Sequence, residues 1–141
     1  MAAAKWEHFE HQADMGVRGT GRDMGEAFAQ AALAMTAIIT DPAGVQPEKT
    51  ISLACHEADP ELLFVDWLNQ VIFTMATRGM LFSRFDVHIS DSGELQAEIR
   101  GEVVDRNRHT PAVEIKGATF TELSVGQQTD GRWVAQCVVD V

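Results

Sequence analysis

Polar and apolar positions along the chain keep two different beats. Met24, Ala27, Phe28, Ala31, Met35 and Ile38 recur at i, i+3, i+4 and i+7 spacing, which predicts a helix with one apolar stripe. Asp23 stands at the capping position with Glu26 three residues on, and Pro42 ends the stretch. A second helix starts at Asp59-Pro60-Glu61, where proline loses nothing by lacking an N–H and the acid meets the positive end of the dipole. Phe64, Leu68, Val71, Ile72 and Met75 form its apolar face, and Gly79 is a natural stop.

Elsewhere the beat is two. Ile51, Leu53 and Cys55 read as one strand. Phe85, Val87 and Ile89 read as another, which Asp91-Ser92-Gly93 turns into Leu95, Ala97 and Ile99. Val113 and Ile115 continue the alternation, with Phe120 and Leu123 beyond. Gln127–Gly131 reads as a hairpin loop leading into a last strand from Arg132 to Val141. Two sizeable loops remain, Asp41–Glu48 and Asp105–Pro111, both too short to link domains. The pattern predicts a single α+β domain over 1–141: a mainly antiparallel or mixed β-sheet with two helices packed against it. Only the stretch between the helices fits a parallel crossover.

Composition narrows the function classes. Eleven Lys and Arg stand against 21 Asp and Glu, a net charge of −10. A chain this acidic repels the phosphate backbone, so strong direct nucleic-acid binding is not expected. The longest apolar run, Ala31 to Ile39, is broken by Thr36 and falls far short of the roughly 20 residues that cross a bilayer. Met1–Lys5 leads straight into charged residues without a signal-like apolar stretch, so a cytoplasmic protein with no membrane association is expected. Cys55 and Cys137 sit at alternation points of strands and read as buried thiols.

Candidate chemistry gathers in few places. His8, His11 and Asp14 precede Gly16, in a stretch that reads either as a metal or anion site at a strand end or as a sharp turn at the acid and glycine. Asp140 alternates onto the same face as Val134 and Val138. An acid on an apolar face wants a partner. A cation is one answer, and an exposed strand end is the other. The last main-chain carbonyl, that of Val141, lies beside Asp140; if Asp14 comes close, the donors are all oxygen, which suits Ca²⁺ or Mg²⁺. Neither Cys-x-x-Cys nor His-Glu-x-x-His spacing occurs, which counts against zinc. Asp66, Asn69 and Gln70 share one side of the second helix, a solvent face on the bland reading, and Trp67 is core or contact surface. Arg106-Asn107-Arg108-His109 is the one basic cluster, either a site for an acidic group on a partner or an exposed loop. Lys116 lies on the opposite face from Ile115 and is expected to be accessible.

Together these residues resemble the archease family. Trp6-Glu7 followed by His11-Gln12-Ala13-Asp14-Met15-Gly16 is similar to its opening strand and motif, with Gln12 where threonine is common and Glu10 where aspartate is common. Leu62-Leu63-Phe64-Val65-Asp66-Trp67-Leu68-Asn69 resembles its helical element. Gly101-Glu102, Asp105, Arg108-His109 and Val113–Phe120 resemble its central block, and Val138-Val139-Asp140-Val141 its ending. The resemblance implies an accessory protein of an RtcB-type RNA-splicing ligase, not itself an enzyme. It would promote the ligase's guanylylation by GTP and its multiple turnover in tRNA splicing or RNA repair. It also implies a divalent-metal site at Asp14, Asp140 and the Val141 carbonyl, and it links Lys116 to activation. His11, Arg108, His109 and Asp66 join Lys116 as candidate partner contacts. A chaperone-like role toward a tRNA cytosine methyltransferase or other RNA-modifying enzyme is the alternative. A stand-alone metal-dependent hydrolase lacks a recognisable nucleophile or base pair.

Overall fold

A computed structural model describes residues 4–141, so most of the Met1–Lys5 stretch lies outside the described residues. Among the described residues, eight strands and three α-helices follow in the order β1 (Lys5–His11), β2 (Asp14–Gly21), α1 (Met24–Ile39), β3 (Lys49–His56), α2 (Pro60–Arg78), β4 (Met80–Ile89), β5 (Glu94–Val103), α3 (Arg106–His109), β6 (Gly117–Ala118), β7 (Ser124–Gln127) and β8 (Trp133–Asp140). A short 3₁₀ turn, Pro42–Gly44, follows α1. The strands form two sheets. One has the order β1-β2-β8-β6, with β7 also paired to β8, and the other the order β3-β5-β4. Every pairing is antiparallel. The stretch between the helices is therefore no parallel crossover: β3 pairs antiparallel with β5. This is an α+β fold.

Both long helices begin where their caps predict. The Asp23 carboxylate accepts from the Glu26 N–H, and the Asp59 carboxylate from the N–H groups of Glu61 and Leu62. Gly79 ends α2 in the left-handed conformation. The burial of α1 departs from a single stripe: Ala29, Ala32, Ala34 and Thr36 are buried along with the predicted face, while Met24 and Ile38 are only half-buried. The cause is that α1 packs against strands of both sheets and against α2. Small side chains let the backbones approach. A Cβ on Gly19 in β2 would stand 2.0 Å from the Ala27 carbonyl oxygen. Polar tethers reinforce the packing. His8 Nε2 lies 2.7 Å from the Ala34 carbonyl, Thr36 Oγ1 donates to the Phe82 carbonyl at 2.7 Å, and Trp67 Nε1 donates to the Phe28 carbonyl at 3.0 Å. Trp67 is core. No helix among the described residues is long and apolar enough to cross a membrane.

Three local predictions are corrected. The chain reverses at Gln12-Ala13, not at the acid and glycine: Asp14 and Gly16 lie inside β2. The stretch Val113–Lys116 is irregular, and only Ile115 of it is buried. The third concerns the polar cluster after β5. Arg108 donates to both oxygens of Glu102 and to the Gly44 carbonyl. His109 is 3% exposed, and its Nε2 lies 3.1 Å from Glu102. Because His109 Nδ1 accepts from the Asp105 N–H at 2.9 Å, Nε2 is left to carry the proton toward Glu102. The Gln46 N–H completes the set at 2.6 Å. These bonds tie both sizeable loops to β5, so His109 is no accessible contact and the Arg108 guanidinium is already engaged.

Candidate functional site: an acidic row at one end of the larger sheet

The β1–β2 hairpin sets the site. Its two-residue loop holds Gln12 at φ 53°, and it places His11 directly opposite Asp14. Next door, β2 pairs with β8 as far as Met15 opposite Val139. One further step of that register sets Asp14 beside Asp140. On the far side, Asp140 faces Gly117 of β6, and the Lys116 N–H donates to the Asp140 carbonyl at 2.7 Å. His11, Asp14, Asp140 and Gly117 thus form one row across four strands.

Residues directly opposite in an antiparallel pair share a face. Within β2, Val17 and Gly19 face α1, so Asp14, Gly16 and Arg18 lie on the other side. The row is therefore on the sheet face turned away from α1. His11 and Asp14 are half-buried, and Asp140 and Lys116 are exposed. The alternation that put Asp140 with Val138 holds, yet Gln136 shares that face and the Asp140 side chain reaches water.

Two carboxylates side by side repel, and like charges directly opposite destabilise a sheet. Among the described residues neither Asp14 nor Asp140 enters an ion pair. No cluster of three or more His, Cys, Asp or Glu among them is arranged to hold a metal. Two neighbouring carboxylates do not make a closed structural zinc site. They do fit a hard cation that keeps several of its waters, as Mg²⁺ and many Ca²⁺ sites do.

The remaining candidates lie apart from the row. Asp66 faces β3, where burial first and the Asp66 charge second push the Cys55 thiol up to about 11. Cys137 is buried, which pushes its thiol up to about 12. Arg108 and the buried ring of His109 belong to the Glu102 network. There Arg108 above all, with the Gln46 N–H, holds the Glu102 carboxyl down at about 2. Asn69 is the residue that helical spacing alone passed over as solvent face. Its Oδ1 accepts from the Ala118 N–H at 2.9 Å and so closes the free edge of β6. The signal was its place on the Asp66 side of α2, but nothing in the spacing told which strand would lie against it.

The chain matches the archease protein family over residues 6–141. It is 35% identical over 140 residues to an archease of Thermococcus gammatolerans, covering 97% of this chain and 99% of that one. It is 34% identical over 139 residues to an archease of Methanopyrus kandleri, covering 96% and 99%. The fold superposes on the solution structure of a Methanobacterium thermoautotrophicum protein with a TM-score of 0.84, at 31% identity and coverage of 96% and 98%. A crystal structure of a Thermotoga maritima archease, described as a possible chaperone, shares the fold at a TM-score of 0.58 and 18% identity, covering 94% of both chains. With nearly its whole length matched by family model, relatives and fold alike, the chain belongs to the archease family.

Proposed function

We propose that this archease is a non-catalytic activator of an RtcB-type RNA ligase, promoting its guanylylation by GTP and its multiple turnover. Family membership supports an accessory role. The observation that carries the reading is the unpaired acidic row, with Lys116 bonded beside it. Asp14 and Asp140 would hold a divalent cation, Ca²⁺ or Mg²⁺, through their carboxylate oxygens, and the Val141 carbonyl adds a neutral donor. A cation held there would offset the repulsion between the two acids and present positive charge to an acidic group. Lys116, in solvent, extends that cationic spot. The rest of the surface is strongly acidic, since the chain carries −10 overall. That charge favours encounter with the basic surface of a cytoplasmic RNA-binding enzyme and disfavours RNA itself.

The test is ligase guanylylation with GTP at substoichiometric archease. More than one guanylylated ligase per archease is the expected result. No stimulation of a cognate ligase overturns the proposal. It would bring forward the chaperone-like reading, for which Phe73 and Phe120, 68% and 67% exposed, are a relevant feature. That reading calls for protection of an RNA-modifying enzyme from aggregation with no effect on ligation.

A further inference from the structure

We infer that the seam between α2 and β6 is the surface on which the partner docks, and that it fits a basic protein surface with apolar pockets for Phe73 and Phe120. The inference rests on the activator reading, under which the partner is the ligase.

Helix α2 carries two stripes. One is core. Along the other, Leu62, Asp66, Asn69 and Phe73 follow at intervals of four, three and four residues and so share a face. Phe73 is 68% exposed and Leu62 41%. Asn69 fixes this stripe to β6 through the Ala118 N–H at 2.9 Å. Phe73 stands one turn on from Asn69, and Phe120, 67% exposed, stands two residues beyond Ala118. Val113, Glu114 and Ile115 line a cleft of about 460 Å³ with Ile72, Met75 and Ala76. The segment from 113 to 118 therefore runs along α2, and the other side of β6 pairs with Asp140. Phe120 accordingly lies on the chain segment that carries Lys116 and adjoins the acidic row, and Phe73 lies on the helix beside that segment.

A phenyl ring about two-thirds in water contributes little to the fold. It has no polar atom to satisfy, so burying it against a partner carries little desolvation cost. Aromatic anchors at the centre with charged groups at the rim are the usual anatomy of an interface. Here the rim is Asp66, Glu114 and Asp140 against Lys116 and Arg106, an excess of one negative charge. Such a rim is complementary to Lys and Arg on the partner. A second copy of this chain would instead set acid against acid, at −10 per copy.

The test is calorimetric binding of the full chain to a cognate ligase, comparing wild type with Phe73→Ser and Phe120→Ser. Gln96→Ala, on the outer face of the smaller sheet, is the control. Melting temperatures should match, because the rings are already mostly in water, and Phe73→Leu and Phe120→Leu should fall between wild type and serine. Each serine variant is expected to bind roughly 30-fold more weakly, the loss typical of a hot spot. Gln96→Ala should bind as wild type does, and wild-type affinity should fall with salt. If wild type binds and stimulates while both serine variants bind equally well, the seam is overturned and the activator reading stands. If wild type neither binds nor stimulates, both are overturned. If the serine variants instead abolish self-association of this chain, the rings serve a second copy and the inference is overturned.

Discussion

Replacing Arg108 by alanine separates a structural role from a contact role. The Glu102 side chain is 8% exposed and takes four donors: two from Arg108, one from the Gln46 N–H and one from His109. Without Arg108 the carboxylate keeps only the last two, neither from a formally charged side chain. Removing a hydrogen-bonding partner from a buried charged group costs about 1–3 kcal/mol. Arg108 is 45% exposed, so water reaches the vacated side of Glu102 and restores part of the loss. A destabilisation of about 2 kcal/mol follows, a drop in melting temperature of roughly 6 °C for a domain of this size. Urea denaturation with intrinsic tryptophan fluorescence reads it directly. Because the damage lies in a network that ties two loops to β5, stimulation of the ligase per folded molecule should be unchanged well below the new melting temperature. A double-mutant cycle with Glu102→Ala should show a coupling above about 1.5 kcal/mol. A loss under about 0.5 kcal/mol together with lost stimulation would refute the reasoning and return Arg108 to the partner surface.

Three further outcomes rest on the same geometry. Glu102 titrates at about 2 in the folded chain against an ordinary value of 4.5, so it binds its proton less readily when folded. Its contribution to stability is whole above about pH 4.5 and is lost as pH falls toward 2. Glu102→Gln should flatten the acid limb of the stability curve, and an unchanged limb would count against the network. Gly19→Ala forces a Cβ to within 2.0 Å of the Ala27 carbonyl oxygen and 2.4 Å of the Ala31 nitrogen, both backbone atoms of α1. It should cost about 3 kcal/mol or more, and a neutral effect in thermal unfolding would contradict the close packing of β2 on α1. Cys55 and Cys137, pushed up to about 11 and 12, should both resist an aromatic disulfide reagent at mildly alkaline pH and react once guanidinium unfolds the chain. Cys137 is buried, whereas Cys55, read from the sequence as a buried thiol, is only half-buried, so rapid labelling of Cys137 in the native protein would contradict the packing.

Much of the fold was legible in the sequence because local rules agreed with tertiary ones. Asp23, Asp59 and Gly79 cap and stop the two long helices where their side chains or conformational freedom require. The hairpin at Asp91-Ser92-Gly93 forms with Gly93 at positive φ. What stayed hidden depends on partners distant in sequence. Nothing in the stripe of α1 tells that two sheets share it. The alternation of Leu95, Ala97 and Ile99 stops short of Glu102. The register of β4 against β5 shifts between Phe82 and Arg84, and past this irregularity Glu102 is buried while Val103 is exposed. The same limit applied to the candidate site. Asp14 and Asp140 lie 126 positions apart, and simple alternation gave the face of Asp140 but not its neighbours. The register of β2 on β8 supplies the neighbour, and the bond from Asn69 to Ala118 supplies the frame.

Guanylylation of a cognate ligase with Asp14→Asn and Asp140→Asn in place of wild type tests the acidic row most directly. Asparagine keeps the shape and removes the charge, and relief of repulsion between the two acids should leave the melting temperature equal or slightly higher. Both variants are expected to lose stimulation at melting temperatures no lower than wild type. Full stimulation by either folded variant would contradict the assignment of the activating site to this row.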